Sequence, residues 1–403
     1  MNQNATETQI LMLGQVFTPS SPIIVKDFFA GRTSQINKAI DTILEKGRHA
    51  ILYGVRGVGK TSLANIISGL LDIPSLWGTK VICSDSDTFG SLWIKTLKQI
   101  PISSEEHINE IGFPGAVKTK NQTYTLADCL TAKPEDLQPS DVIELLEKVS
   151  NTFFFVFDEF DTIENSRTKK KFAEMIKALS DKMPNVTLLI VGVGETITDL
   201  IGEHQSIERC LNQILLEKMK ENELEEILNK GLAKLEMSID DTVKNKIISF
   251  SKGFAHYTHL LGKYSAQSAL SKGRTNITEL DFNLAIDEAI QNAQESLREC
   301  YQRAVSSNKK NMFKDIVKAC TLVKEDEHGT FRIKDLQEPL LKIIGEKTPP
   351  KSYQYHVGRL CTPEKGNILQ KIGTKNNFRY KFKNPLFKAY MTLKIYQEEH
   401  QNF

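Results

Sequence analysis

A glycine-rich loop followed by a lysine and a hydroxyl is the clearest chemical signal in this sequence. In the run ILYGVRGVGKTSLANII, Gly54, Gly59, Lys60 and Thr61 fit the pattern G-x-x-x-x-G-K-[ST]. Glycines let consecutive backbone N–H groups turn toward phosphate oxygens, and the start of a helix adds partial positive charge. Because an apolar run precedes the loop and a helical pattern follows it, we favour a nucleotide phosphate site over a chance glycine-rich loop.

Each residue type in this loop has a predicted role toward ATP or ADP. We expect Lys60 to contact the β- and γ-phosphates and to act in catalysis, and the Thr61 hydroxyl to ligate Mg²⁺. The predicted nucleotide-binding residues of the loop are Gly54, Val55, Arg56, Gly57, Val58, Gly59, Lys60, Thr61 and Ser62.

A second apolar run, FFFVFDE, ends in two carboxylates. We predict that Asp158 holds Mg²⁺ together with Thr61, and that Glu159 polarises the attacking water as general base. Taken alone, a pair of acids at a strand end also suits helix capping, but the glycine-rich loop favours the catalytic interpretation. For Asp161, capping of the following helix stays open as the alternative role.

The surrounding elements predict a parallel sheet. Short apolar runs read as buried strands, and helical patterns separate them, which is typical of a parallel sheet covered on both faces. The predicted strands are 50–54, 80–85, 152–159, 186–194 and 212–217. The polar, turn-rich span 101–140 is interpreted as an insertion.

The last third of the chain is basic and differs in pattern from the rest. From Tyr301 onward there are 20 Lys and Arg against 10 Asp and Glu, whereas the preceding part has 32 against 40. Three helical patterns and two short alternating strands follow residue 307, which is the order of a winged helix. We predict duplex DNA contacts there, although a winged helix that binds protein is the alternative. The candidate DNA-binding residues are Lys351, Arg359, Lys375, Arg379 and Lys381.

Length and composition predict several domains in a soluble chain. With 403 residues and 40% hydrophobic residues, we expect a nucleotide-binding core at 1–217, a helical lid at 218–307 and a winged helix at 308–403. Six cysteines at wide spacing indicate neither zinc nor disulfides. Since the sequence shows neither a run of about 18 apolar residues nor a signal peptide, we expect a cytoplasmic protein without membrane contact.

Six segments of the sequence together match the motifs of a known family. They are FFAGR, GVRGVGKTS, FVFDEFD, LLIVGVGET, HQSIERCLNQILLEKM and GFAHYTHLLG. With them, the region from Phe17 to about Leu270 resembles AAA+ ATPases, in the branch of archaeal origin-recognition ATPases and STAND-related proteins. The resemblance implies an α/β P-loop NTPase core with a parallel sheet, an all-helical lid and a C-terminal winged helix. It also implies a homo-oligomer that binds ATP and Mg²⁺.

The resemblance assigns further site residues. It places the region from Phe29 to Arg32 near the adenine, makes Arg209 an arginine finger for a neighbour's ATP, and puts LLIVGVGET at the sensor-one position. At sensor one, relatives carry Asn where this chain offers Gly194, Glu195 and Thr196. At sensor two, GFAH places His256 where the family has Arg. Because a neutral histidine binds γ-phosphate more weakly than arginine, we expect slow hydrolysis and a switch rather than a motor.

For three of these residues an ordinary structural role stays open. His256 and His259 can simply pack with a backbone hydrogen bond, an explanation we favour for His259. Arg209 can be a solvated surface residue.

Two functions follow from these patterns. The first is a slowly hydrolysing ATP switch that binds duplex DNA through the basic winged helix. The second is a STAND-like signalling or assembly ATPase of a bacterial antiviral defence system, whose winged helix binds a partner or effector protein.

Overall fold

The computed structural model describes residues 3–19, 30–71, 76–109, 117–149, 151–194, 196–202, 207–307, 312–326, 329–374 and 377–400. The chain divides into two compact units. One unit is Pro22–Glu217, and the other combines Met1–Ser21 with Lys218–Phe403. The described strands are β1 (His49–Gly54), β2 (Leu76–Ile82), β3 (Pro101–Asn109), β4 (Val117–Thr125), β5 (Thr152–Asp158), β6 (Val186–Val193), β7 (Leu211–Leu215), β8 (Ser238–Ile239), β9 (Asn276–Ile277), β10 (Leu369–Ile372) and β11 (Arg379–Phe382).

Helices make up most of the remaining described residues. They are α1 (Gln3–Val16), α2 (Thr33–Leu44), α3 (Lys60–Leu70), α4 (Phe89–Leu97), α5 (Pro139–Glu147), α6 (Ser166–Lys182), α7 (Thr198–Ile201), α8 (Glu221–Lys234), α9 (Asp241–Ser251), α10 (Ala255–Ser271), α11 (Glu279–Gln291), α12 (Glu295–Val305), α13 (Phe313–Leu322), α14 (Gln337–Ile344), α15 (Pro350–Arg359) and α16 (Leu386–His400). Short 3₁₀ turns occupy Leu126–Cys129, Phe160–Thr162, Ile333–Leu336 and Pro363–Lys365.

A parallel sheet forms the centre of the first unit. Its strand order is β2-β5-β6-β1-β7, and all four neighbouring pairs are parallel. The predicted α/β fold with a parallel sheet core is therefore confirmed. β2 differs in its bounds, because it begins at Leu76 and ends at Ile82, before the turn in which Ser84 and Asp87 lead into α4.

The phenylalanine run of β5 is buried because this strand lies inside the sheet, between β2 and β6. Alternate residues Phe153, Phe155 and Phe157 belong to one aromatic cluster, since side chains alternate across a strand. The Trp93 ring of α4 lies 5.3 Å from Phe155, and the Phe172 ring of α6 lies 4.8 Å from Phe157. Burial of these rings fixes the position of Asp158 at the end of the same strand.

The span 101–140 contains an antiparallel hairpin. β3 pairs with β4 in the register from Pro101↔Thr125 to Asn109↔Val117, and α5 begins at Pro139. Mostly polar strands like these carry little hydrophobic alternation, so the sequence pattern did not reveal them.

The second unit joins the beginning of the chain to its later part. The Phe17 ring lies over Gly231 of α8 and Gly262 of α10. A Cβ atom at Gly231 would come within 2.5 Å of this ring, and one at Gly262 within 2.9 Å. These two glycines therefore create the space that holds Phe17 against the helices, where it is fully buried.

Three helices, a hairpin and a further helix end the described chain. After α13, α14 and α15, strands β10 and β11 pair antiparallel, and α16 follows. α16 returns to the earlier helices: Tyr396 Oη lies 3.0 Å from Glu279 Oε1, and Gln397 donates to Asp287. In the described ranges, no helix has both the length and the apolar character needed to cross a membrane.

Candidate functional site

The loop between β1 and α3 has the backbone that its glycines predict. Gly59 has φ of 93°, a left-handed conformation that side chains rarely adopt. At Gly54 a Cβ atom would come within 2.3 Å of the Leu216 carbonyl oxygen, because β7 continues beside the end of β1. The sequence therefore needs glycine here both for backbone conformation and for close packing.

The Lys60 ammonium lies inside this loop. It donates hydrogen bonds of 3.0 Å to the carbonyl oxygens of Gly54 and Val55, and the residue is 8% exposed. Burial lowers the pKa of Lys60 to about 8, and the Asp161 and Asp158 carboxylates partly oppose this shift. A buried cation satisfied only by carbonyls is suited to receive an anion.

Asp158 and Thr61 meet at the end of β5, as the sequence predicts for a metal pair. Thr61 Oγ1 lies 3.4 Å from Asp158 Oδ1, which also accepts a 2.9 Å hydrogen bond from the Glu159 N–H. Asp158 is 2% exposed. A hydroxyl and a carboxylate are hard oxygen donors of the kind that Mg²⁺ takes beside phosphate oxygens and water, so these residues fit that ion.

Glu159 stands next to this pair in an unusual conformation. Its φ is 57°, in the left-handed region, and its side chain is exposed. Its carbonyl accepts hydrogen bonds from the Thr162 N–H and hydroxyl, at 3.0 and 2.7 Å, which hold the turn. Strained residues of this kind are concentrated at functional sites.

Asp161 does not cap the following helix. Its Oδ1 accepts a 2.7 Å hydrogen bond from the Val193 N–H at the end of β6, whereas Asn165 caps α6 through Arg167 and Thr168. The capping alternative for Asp161 was wrong, because the residue ties the ends of two neighbouring strands together.

The sensor-one segment offers little to a phosphate. Gly194 has no side chain, and the Thr196 N–H is bonded to Asp199 Oδ2 at 2.8 Å. Glu195 lies outside the described residues. The polar side chain that relatives carry at this point therefore has no described counterpart at Gly194.

Arg32 is buried at the start of α2. It is 5% exposed, has φ of 60°, and its Nη2 donates a 2.5 Å hydrogen bond to the carbonyl oxygen of Glu217. Arg32 therefore ties the segment before α2 to the last residue of the first unit. Phe29, predicted beside the adenine, lies outside the described residues.

Arg209 lies away from the loop. It comes just before β7, where the neighbouring Cys210 carbonyl accepts a hydrogen bond from the His49 N–H at the start of β1. The loop follows the C-terminal end of β1, whereas Arg209 lies near the N-terminal end of this strand, on the opposite side of the sheet from the loop. Its side chain is 71% exposed and forms a 2.9 Å ion pair with Asp181.

The two histidines of α10 belong to the second unit. His256 Nδ1 lies 2.8 Å from the Pro19 carbonyl oxygen, and burial lowers the pKa of this ring. Since Nδ1 must carry the proton in this bond, the neutral ring presents only an acceptor at Nε2. His259 is 4% exposed with its ring against the edge of Phe17, and burial lowers its pKa to about 4.

The predicted DNA-binding residues differ in their exposure and in their ion pairs. Lys351 is exposed on α15, and Arg359 of the same helix is partly exposed, as is Lys381 of β11. Arg379 bonds to the Thr330 hydroxyl and pairs with Asp326 at 2.5 Å. Its charge is therefore largely neutralised within the fold, and Lys375 lies outside the described residues.

Sequence reasoning missed one cation at the site. The Lys80 ammonium lies 2.8 Å from Asp158 Oδ2 and donates a 2.6 Å hydrogen bond to Asn65 Oδ1. A lysine within an otherwise apolar and small-residue strand was the available signal, but its partners are distant in sequence.

One family of known proteins matches this sequence, and solved structures resemble the fold. The sequence profile of the family described as "nSTAND1: Novel STAND NTPase 1" matches residues 24–348. A Walker-type ATPase of Pyrococcus abyssi is similar in structure, with 18% identity, 94% of this chain and 99% of that chain covered, and a TM-score of 0.54. The ORC1 protein of Aeropyrum pernix, solved in complex with DNA, aligns with 12% identity, 96% and 97% coverage and a TM-score of 0.47.

No curated protein matches the sequence. The Pyrococcus structure supports the fold, that of a P-loop ATPase with a parallel sheet core. Since the family profile spans residues 24–348, well over half of the chain, the chain belongs to the Novel STAND NTPase 1 family.

Proposed function

We propose that this chain binds ATP at the loop between β1 and α3 and hydrolyses it slowly to ADP and phosphate. The observation that carries this proposal is the meeting of the Thr61 hydroxyl with the Asp158 carboxylate, 3.4 Å apart, beside the buried Lys60 ammonium. Hydroxyl, carboxylate and ammonium converge where parallel strands end, the usual ligand edge of such a sheet. When bound, Mg²⁺ supplies charge that offsets the negative phosphates.

Each of the site residues has its own proposed role in hydrolysis. Lys60 binds and orients the phosphates, Thr61 and Asp158 hold the metal, and the exposed Glu159 takes a proton from water as general base. We propose that turnover is slow because the sequence has His256 where the resemblance expects an arginine, and a neutral histidine binds γ-phosphate more weakly. We also propose that Arg32, buried at the start of α2, lies near the adenine.

Binding of ATP to Lys60→Ala tests the site. Removal of the ammonium should lower the affinity for ATP, measured by isothermal titration calorimetry, at least about a hundredfold, because the phosphates lose their buried cation. Lys148→Ala is the matched control, since Lys148 directly follows α5, is exposed and pairs with Glu144. If Lys60→Ala binds ATP as the wild type does, the proposal is wrong.

We also propose that the site is completed by a second copy of the chain. Arg209 is exposed at the edge of the sheet opposite its own loop, so as an arginine finger it would serve a neighbour. Arg209→Ala and Lys60→Ala should each be inactive as single proteins. Their mixture should regain part of the ATPase activity, because one interface then combines an intact loop with an intact arginine. No recovery in a mixture that still assembles would contradict this role.

For the C-terminal region we propose duplex DNA binding, with α15 as the principal contact. Three helices followed by a hairpin is the order expected of a winged helix, and residues 301–403 carry 20 Lys and Arg against 10 Asp and Glu. We assign the contact to α15 because Lys351, Ser352, Gln354 and Tyr355 are exposed there, whereas Arg379 of the hairpin is paired. The division into core, lid at 218–307 and winged helix at 308–403 is part of this proposal.

Binding to random duplex DNA at increasing salt tests this assignment. The affinity should fall steeply with salt, and Lys351→Glu with Arg359→Glu should weaken it at least about tenfold. Lys342→Glu is the control, because Lys342 is exposed on α14 and paired with Glu338. Absence of binding at low salt would remove the DNA proposal.

A second function is favoured by the family itself. Membership in a STAND NTPase family supports a signalling or assembly ATPase, in which ATP drives association of copies and the C-terminal region binds an effector protein. Under this alternative, ATP changes the oligomeric state in light scattering while DNA has no effect on it. Under the first proposal, DNA and ATP affect each other's affinity.

A further inference from the structure

Lys80 closes a ring of side chains around the predicted metal carboxylate. Asp158 Oδ1 faces the Thr61 hydroxyl at 3.4 Å, and Asp158 Oδ2 faces the Lys80 ammonium at 2.8 Å. The ammonium in turn donates to Asn65 Oδ1 at 2.6 Å. Thr61 and Asn65 are four residues apart in α3 and therefore lie on one face of this helix.

The position of Lys80 follows from the sheet register. β2 pairs with β5 so that Lys80 lies opposite Val156 and Ile82 lies opposite Asp158. From this position, two residues short of the strand end, a long side chain can reach the carboxylate and the helix above it. The Lys80 side chain is 22% exposed and that of Asp158 is 2% exposed, so the pair is mostly removed from water.

The ion pair between Lys80 and Asp158 compensates the negative charge of this carboxylate in the site without ligand. A carboxylate at 2% exposure is strongly unfavourable as an anion unless a cation accompanies it. Lys60 does not supply this contact, because its ammonium is bonded to the Gly54 and Val55 carbonyls. The Lys80 ammonium does, so the site approached by phosphates does not carry an uncompensated negative charge at Asp158.

We propose that Lys80 is a positioning residue that holds and neutralises Asp158, and thereby allows nucleotide to bind even without Mg²⁺. This inference rests on the proposed nucleotide function. In the wild type, Mg²⁺ then improves nucleotide affinity only modestly. Without Lys80, the unpaired carboxylate repels phosphates, and binding becomes strongly dependent on the divalent ion.

Calorimetric titration with ADP, in EDTA and in excess MgCl₂, tests the proposal. The measured quantity is the ratio of the two dissociation constants. Lys80→Met should raise this ratio at least about tenfold, mainly by weakening binding in EDTA, because the carboxylate loses its cation. Lys80→Arg keeps the charge and should restore a ratio close to that of the wild type.

Lys95→Met is the matched control, because it also removes a lysine from an ion pair with a buried carboxylate. Lys95 pairs at 2.6 Å with Asp87, which is 4% exposed and belongs to the turn before α4. This variant should leave the ratio unchanged. Should Lys80→Met not fold, Asn65→Ala removes only the second partner of Lys80 and should shift the ratio in the same direction by a smaller factor.

The outcomes separate the inference from the function on which it rests. If the wild type binds ADP in neither buffer, the proposed nucleotide site fails. If the wild type binds and folded Lys80→Met keeps the wild-type ratio, or loses affinity equally in both buffers, Lys80 has a merely structural role. An equal shift of the ratio in Lys95→Met would also overturn the proposal.

Discussion

The Lys60 ammonium donates a 3.0 Å hydrogen bond to the carbonyl oxygen of Gly54, six residues earlier in the chain. This buried contact predicts how nucleotide affinity depends on pH. Burial lowers the pKa of free Lys60 to about 8, and bound phosphates raise it again because they stabilise the ammonium. Binding therefore requires proton uptake above about pH 8, and affinity should fall by up to about tenfold per pH unit there.

ADP titrations between about pH 7.5 and 9.5 measure this effect, since the phosphates of ADP are already ionised in that range. Lys60→Arg is the control, because a guanidinium keeps its charge throughout. Its affinity should be lower but flat with pH. A wild-type affinity that does not change across this range would contradict the assignment of Lys60.

Glu159→Gln should separate binding from hydrolysis. The amide cannot take a proton from water, so turnover should fall by about 10²–10⁴-fold. Binding should stay close to wild type, because Asp158 and Thr61 are intact and the Glu159 N–H still donates to Asp158. Single-turnover assays with radiolabelled ATP measure both quantities. Hydrolysis at the wild-type rate would mean that another group is the base.

Gly54→Ala should destabilise the first unit. A methyl group there would lie 2.3 Å from the Leu216 carbonyl, and backbone atoms cannot yield as a side-chain end can. We expect a loss of about 2 kcal/mol or more in the free energy of unfolding. Gly69→Ala is the matched control within α3, where a Cβ meets nothing within 4 Å, and it should stabilise by up to about 1 kcal/mol. Equal melting temperatures for the two variants would refute this packing argument.

His49 predicts a loss of stability in acid. The residue is fully buried, its Nδ1 accepts a 3.1 Å hydrogen bond from the Leu188 N–H, and burial lowers its pKa to about 4. The unfolded chain, with an ordinary histidine pKa of about 6.5, takes up the proton first as pH falls. Stability from this residue is therefore complete above about pH 6.5 and is lost toward pH 4, by roughly 3 kcal/mol.

Urea unfolding at intervals between these pH values measures the slope, and His49→Gln should reduce it while lowering stability at neutral pH. His259, with the same direction of shift, contributes to the remaining slope in the second unit. An unchanged slope in His49→Gln would contradict the prediction, because it would mean that His49 binds its proton equally well in the folded and the unfolded chain.

Local sequence patterns predicted the strands and the loop that carry Lys60, Thr61 and Asp158, but they did not predict contacts between residues far apart in the sequence. The loop from Gly54 to Thr61 and the strand before Asp158 are readable because a phosphate site needs those residue types at short, fixed spacing. Asp161 was misread, since its partner at Val193 lies 32 residues away. Lys80 was missed for the same reason, because only the pairing of β2 with β5 brings it to Asp158.

Other parts of the fold were not predicted from the sequence, for different physical reasons. The β3–β4 hairpin has too little apolar alternation to be recognised as strands. α16 was not predicted, because its apolar residues are spread around the helix and do not form one clear stripe. The left-handed backbone of Glu159 has no signature in composition, because glutamate seldom adopts it.

The burial of Phe17 between Gly231 and Gly262 has a consequence for synthesis of the chain on the ribosome. Residues 1–21 belong with residues 218–403, so the unit 22–217 interrupts the other in sequence. As the nascent chain emerges, the nucleotide-binding unit can complete its sheet while the initial helix still waits for its partners. Until α8 and α10 leave the exit tunnel, the Phe17 ring has no cavity to fill, so burial of this aromatic residue is delayed until more than 200 further residues have been synthesised.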